Sequence, residues 1–277
     1  MSTIFFISVS GLRRTPKKTC DFLNSAERVI QIRSIGIDLR NIERDTLVKS
    51  YDLSLAEFIS GGELSPGEVG CLLSHQKVYK LISSENIDWA LVIEDDAEML
   101  VDAKVLIAMS QKWFNSGYEL VHLSPYLGGV VLNEQKDKSG KALVPPLTTC
   151  AYWISTEGAR KLQTKNSIIG GLADWPIQVA NLQMRSVFMP IAYSGPGNST
   201  IETVYNHSAR TRESLSYRPI TKIISLSNRK LLFKAISVYG LITVIKFLLS
   251  YRLYKRLARY FKSPKKGHNK TSFFFSV

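Results

Sequence analysis

The chain has 277 residues, 45% of them hydrophobic and 21% charged, an ordinary globular composition that can bury one sizeable core. Three cysteines, Cys20, Cys71 and Cys150, form an odd set without close pairs, so neither a disulfide framework nor a cysteine zinc site is indicated, and a reducing cytoplasm is expected. The formal net charge of +13 is unevenly placed: 14 of the 36 basic residues fall between 214 and 277, where no acid occurs, which leaves 22 basic against 23 acidic residues in 1–213. No DNA- or RNA-binding motif accompanies that charge, so nucleic acid is not an expected partner.

The segment IFFISV, residues 4–9, has no basic leader before it and reads as a first β-strand instead of a signal peptide, so the chain is expected to stay inside the cell. A helix is expected near 15–25, a strand at RVIQI and a helix near 45–58. The next helix, from 65, has the strongest signal: Ser65 suits the N-cap, Pro66 the first helical position, and Glu68 completes a capping box. Then follow the strand WALVI, a helix near 102–115, the strand YELVHL, a hairpin around NEQKDKSGKALV, the strand CAYWIS and a helix in STEGARKLQTK. Alternating strands and helices predict an α/β domain with a Rossmann-type, mostly parallel sheet flanked by helices. The composition changes near 205–220, which divides the chain into a body, 1–215, and a basic C-terminal segment, 216–277.

Three consecutive acids, Glu94, Asp95 and Asp96, follow WALVI directly. In open parallel sheets ligands sit at the carboxyl ends of strands, so these acids lie where a site belongs. An extended chain through the triplet would turn Glu94 and Asp96 to one side and Asp95 to the other. Such a carboxylate pair suits Mg²⁺ or Mn²⁺ carrying a diphosphate. The alternative is that the acids sit at a helix N-terminus or are simply solvated.

The run SPGEVGCLLSHQKVYKLI, followed after a short gap by ALVIEDDAEML, resembles glycosyltransferase family 25, the lipopolysaccharide and lipooligosaccharide glycosyltransferases. AYWISTEGARKL and LADWPIQVANL extend the resemblance, which covers about residues 4–195. It implies a GT-A-like fold, a nucleotide-sugar donor such as UDP-galactose, a divalent metal, Mn²⁺ or Mg²⁺, and inverting transfer to a saccharide acceptor. On that resemblance Asp96 and Glu94 are the expected metal contacts, and Asp95 is expected to touch the donor ribose or sugar. His207, in a loop after the catalytic core, is the candidate to close the metal shell.

An inverting transfer needs a general base at the acceptor hydroxyl, and Asp174 is the candidate. The same residue, just before Trp175 and Pro176, would also serve as an N-cap. Ser8, at the end of the first strand, and Arg13 beyond it lie where nucleotide and phosphates are expected, although ISVSGLRRTPKK departs from the family's pattern here. Asp38 follows the second strand, where it would contact the nucleoside or act as a turn residue. His75, in the LSH triplet of the family motif, is expected to face the donor, whereas His122 lies within a strand and reads as structural. Trp175 would either stack on a sugar or pack in the interior. The Gly-, Ser- and Asn-rich stretch 193–214 reads as a loop suited to close over a donor.

The segment 230–266 mixes dense apolar residues with basic ones. Its longest uncharged run, 235–245, is eleven residues, well short of the roughly 20 that a membrane span needs. Two readings stand: a basic amphipathic segment lying on an anionic membrane surface, or a terminal helix packed on the core. The combined expectation is a cytoplasmic enzyme, peripheral on the inner face of the cytoplasmic membrane, that glycosylates a lipid-linked oligosaccharide acceptor. The rivals are a metal-dependent phospho- or nucleotidyltransferase and a noncatalytic membrane-binding protein.

Overall fold

The computed structural model describes residues 2–9, 15–28, 30–60, 63–124, 131–134, 139–142, 149–163, 175–187, 191–194, 274 and 275, together with 233, 236, 237, 239–246 and 249. The expected boundary at 205–220 and most of the loop 193–214 lie outside these residues.

Strand β1 (Ser2–Ile7) is the axis of the sheet, with β2 (Gln31–Ile35) and β3 (Trp89–Glu94) parallel to it on either side. Its continuous apolar run is the mark of a strand covered on both faces. Alternation assigns Ile4 and Phe6 to one apolar cluster, with Phe22, Leu23, Leu106 and Trp113. Phe5 and Ile7 join the opposite one, with Val78, Tyr79, Ile82 and Leu162. The first cluster is roofed by α1 (Lys17–Ala26) and α5 (Ala103–Phe114), and the second by α4 (Pro66–Ser84) and α6 (Thr156–Leu162). The result is a three-layer α/β domain, as the alternation of elements predicts.

Beyond β3 the sheet order continues through β8 (Ala151–Ser155), β5 (Leu120–His122), β9 (Met184–Val187), β7 (Ser139–Ala142), β6 (Val131–Glu134) and β11 (Phe274–Phe275). β8 runs against both β3 and β5, and β7 against both β9 and β6; the other strands share one direction. A short second sheet pairs β4 (Ala97–Met99) antiparallel with β10 (Ala192–Ser194). Because β4 leaves the acidic triplet directly, its anchoring matters for the site. The buried Thr19 hydroxyl of α1 donates to the Ala97 carbonyl at 2.6 Å and accepts from the Met99 amide at 2.9 Å, tying this strand to the first helix.

The helix from 65 starts as the sequence predicts: Ser65 Oγ accepts from the Glu68 amide, and the Glu68 carboxylate accepts from the Ser65 amide at 2.7 Å. The helix expected over 45–58 is instead two, α2 (Arg44–Ser50) and α3 (Ser54–Ser60). Asp52 causes the break, because its Oδ1 accepts from the amide and the hydroxyl of Ser54 and starts a new helix there.

In the C-terminal segment, residues 241–246 are helical. Thr243 and Val244 are buried, and Asn181 Nδ2 donates to Thr243 Oγ1 at 2.9 Å. Leu241, Ile242 and Ile245 are exposed, Ile242 at 71%. Both readings of this segment therefore have a face on the same helix. Among the described residues no helix is long and apolar enough to cross a membrane.

Candidate active site

A cleft opens at the carboxyl ends of β1 and β3, walled by the segment after β2 and the first turns of α4. Ser8, Asp38, Arg40, Gly67, Cys71 and the whole triplet Glu94, Asp95 and Asp96 line it. Two glycines allow the walls to close. A Cβ on Gly36 would lie 2.0 Å from the Ser8 carbonyl oxygen, and one on Gly70 would lie 2.5 Å from that of Ile37. Only hydrogen fits at either place. Ser74 then secures the contact, its Oγ accepting from the Ile37 amide at 2.9 Å.

The triplet is not extended throughout. β3 ends at Glu94, and Asp95 and Asp96 form the turn into β4. Asp95 therefore does not point away from its neighbours: it lines the same cleft, and its Oδ2 accepts from the Ser8 hydroxyl at 2.8 Å. The turn gathers all three carboxylates, where strand alternation would have gathered two.

Glu94 is held by side chains behind the cleft. Its Oε1 meets His75 Nε2 at 2.9 Å and accepts from the Thr149 hydroxyl at 2.5 Å. His75 Nδ1 meets the Tyr152 hydroxyl at 2.8 Å, which in turn meets that of Tyr79 at 3.0 Å. Burial by itself would raise the Glu94 pKa, but the His75 hydrogen bond and charge, with the Thr149 hydroxyl, outweigh it and hold the carboxyl below its usual range. Burial also pushes the Tyr152 and Tyr79 phenols up, so both stay protonated and can donate.

His75 is thus placed behind Glu94, 2% exposed, and not on the cleft wall where the sequence motif suggested contact with the donor. Asp38 does line the cleft, but its carboxylate is occupied by a residue that sequence reasoning missed. Arg40 Nε and Nη2 donate to Asp38 Oδ1 and Oδ2 at 2.8 and 2.5 Å. That bidentate hydrogen bonding holds Asp38 below the usual carboxylate range, and Arg40 also feels the charge of Asp95. The signal for Arg40 was its spacing, two residues from Asp38, which lets one turn carry both ends of the pair.

Trp175 is buried against Tyr152, ring centroids 5.2 Å apart, so it packs in the interior and does not offer a face for stacking on a sugar. His122 is fully buried in β5, as its position in the strand suggested. The helix after Trp175 is a 3-10 helix, Ile177–Asn181, with Pro176 in the N-cap position. Asp174, Arg13 and His207 themselves lie outside the described residues.

The arrangement provides carboxylate oxygens for a hard divalent cation beside a guanidinium that suits a phosphate oxygen. Sequence comparison identifies the family. The profile of glycosyltransferase family 25 (LPS biosynthesis protein) matches residues 13–179. A probable inactive glycosyltransferase 25 family member 3 from Rattus norvegicus is 27% identical over 175 residues, 56% of this chain and 29% of the relative; the chain therefore spans less than a third of that relative's length. Among solved structures, A197 from STIV aligns with a TM-score of 0.42 at 14% identity, covering 72% of this chain and 87% of its own. The CMP:2-keto-3-deoxy-manno-octonic acid synthetase complexed with CTP aligns at 0.38 and 12% identity, covering 76% and 98%. Likeness at these scores carries no argument. The family profile covers more than half of the chain, including the capped helix, the acidic triplet and the strand and helix that follow: the chain belongs to glycosyltransferase family 25.

Proposed function

We propose that the protein is an inverting glycosyltransferase that moves galactose from UDP-galactose to a saccharide of a lipopolysaccharide or lipooligosaccharide acceptor. The observation that carries this reading is the convergence of Glu94, Asp95 and Asp96 with Ser8, Asp38 and Arg40 on one cleft at the strand ends. The oxygen-only character of the turn fits Mn²⁺ or Mg²⁺, with Asp96 and Glu94 as the proposed ligands and His207 as a further one. When bound, such an ion neutralises the charge that develops on a departing diphosphate. Asp95, fixed by Ser8, faces the donor, and Arg40 lies where it can pair with a phosphate oxygen. Asp174 is proposed as the base that removes the acceptor hydroxyl proton as that oxygen attacks the anomeric carbon.

The rat relative's name includes the word inactive, so membership alone does not carry activity; the three acids on the cleft of this chain are what favour a working site. The outward apolar side chains of 241–246, in a segment free of acid, support attachment to the inner face of the cytoplasmic membrane, which would bring a lipid-linked acceptor to the cleft. Incubation of the purified chain with UDP-galactose, Mn²⁺ and lipooligosaccharide, following UDP release, tests the reading. Acceptor-dependent release supports it. Release with a different nucleotide sugar would correct the donor, and none with any activated sugar would overturn transferase activity.

A further inference from the structure

Cys71 and His75 are four residues apart on α4 and so share one face of the helix, with Glu94 opposite them. The Cys71 sulfur, a His75 ring nitrogen and a Glu94 carboxylate oxygen all lie within 4.8 Å of one another. A tetrahedral zinc ion with bonds of 2.0–2.3 Å sets its ligands about 3.3–3.7 Å apart, so these three atoms need only small shifts to share one ion. We propose that Cys71, His75 and Glu94 form a site for a thiophilic divalent cation, of the Zn²⁺ or Co²⁺ class, distinct in chemistry from the all-oxygen turn of Asp95 and Asp96.

Three features of the surroundings support the site. The first is the second shell: with Nε2 on the ion, the Nδ1 hydrogen is donated to Tyr152, and the Tyr152 hydroxyl donates to Tyr79. A metal-ligating histidine needs such an orienting acceptor for its other nitrogen, and this one is already built and fully buried. The second is access, because Cys71 and Glu94 line the cleft while His75 lies behind them. An ion can enter from the cleft side and keep a fourth position there for water. The third is selectivity: thiolate and imidazole prefer Zn²⁺ or Co²⁺, whereas Mg²⁺ and Mn²⁺ prefer carboxylate and water. The cysteine count missed this arrangement because only one of the three ligands is a cysteine and the carboxylate comes from a different element.

Glu94 belongs to both sites, so occupation of the thiophilic site would withdraw it from the donor cleft and inhibit transfer. That consequence rests on the proposed function; the binding itself does not.

The test is titration of the metal-free full chain with Co²⁺ alone, read by absorption. Expected are intense tetrahedral d–d bands and a thiolate-to-cobalt charge-transfer band saturating near one equivalent, with the charge-transfer band lost in Cys71→Ser and kept in Cys20→Ser. Zn²⁺ should also protect Cys71 of the unaltered chain from alkylation by iodoacetamide, a readout that stands even if Cys71→Ser does not fold. Only the weak bands of octahedral oxygen ligation, a charge-transfer band that survives in a folded Cys71→Ser, or Cys71 alkylation unchanged by Zn²⁺ would overturn the site. None of these readouts involves a nucleotide, so failure of the UDP-galactose reading leaves them intact.

Discussion

His75 Nε2 and Glu94 Oε1 lie 2.9 Å apart, on side chains 3% and 18% exposed, and this contact joins the capped helix to the end of the third strand. The helix does not merely pack near the acidic triplet; it holds the triplet's first carboxylate in place. Replacing His75 by alanine leaves Glu94 without that partner and empties a packed position beside Tyr152. The expected cost is about 3 kcal/mol, in the range for breaking a buried pair. Tyr152→Phe removes one hydroxyl and should cost about 1 kcal/mol. Urea unfolding of the two variants checks both values and their order.

The same contact sets a pH dependence. The Glu94 carboxyl is held below its ordinary value of 4.5 in the folded chain, so the folded state binds its proton less readily than the unfolded state does. The stabilisation is present above that ordinary value and is lost as pH falls through the lower folded value. Thermal midpoints of the unaltered chain should therefore fall as pH drops below about 4.5, and Glu94→Gln, which cannot titrate, should show a shallower fall over the same range. An equally steep fall in Glu94→Gln would assign the acid sensitivity to other carboxylates.

Much of this was legible in the sequence, and for local reasons. The capping box of Ser65 and Glu68, the position of the triplet after an apolar strand, and the alternation of strands and helices are all written within a few residues. What was missed is long-range or set by a turn. His75 was expected to face the donor because it shares a motif with the cleft, yet its partners are 19 and 77 positions away in the chain, at Glu94 and Tyr152. Strand alternation, had the chain stayed extended, would have turned Asp95 aside, and the turn after Glu94 brings it onto the cleft instead. The division of α2 from α3 goes with the hydrogen bonds that Asp52 accepts from Ser54, and Asp52 is a residue that a periodic pattern passes over.

Arg40 gives a prediction that separates stability from binding. Its pair with Asp38 is partly exposed, side chains 28% and 41%, so Arg40→Ala should change stability by less than about 1 kcal/mol. If the guanidinium meets a donor phosphate, the same variant should weaken UDP binding about tenfold or more, the scale of one charge-assisted hydrogen bond. Arg40→Lys should recover only part of that, because an ammonium cannot reproduce the fork. Calorimetric affinities alongside unfolding midpoints separate the two effects.

The C-terminal helix offers a test by opposite faces. Ile242→Asp, on the exposed face, should leave the unfolding midpoint unchanged and reduce sedimentation with anionic phosphatidylglycerol vesicles. Val244→Asp, on the buried face beside Thr243, should destabilise the chain, because it places a charge against the core. Vesicle binding unaffected by Ile242→Asp would remove the membrane role from this face.

Binding of a metal nucleotide at the acidic triplet is tested by calorimetric titration of the chain with UDP and UDP-galactose, with and without Mn²⁺, beside an Asp96→Asn variant that keeps its unfolding midpoint. Nucleotide binding should need the metal and be lost in Asp96→Asn. Absence of binding to either nucleotide by the folded chain with Mn²⁺ present, or binding that Asp96→Asn leaves intact, would contradict it.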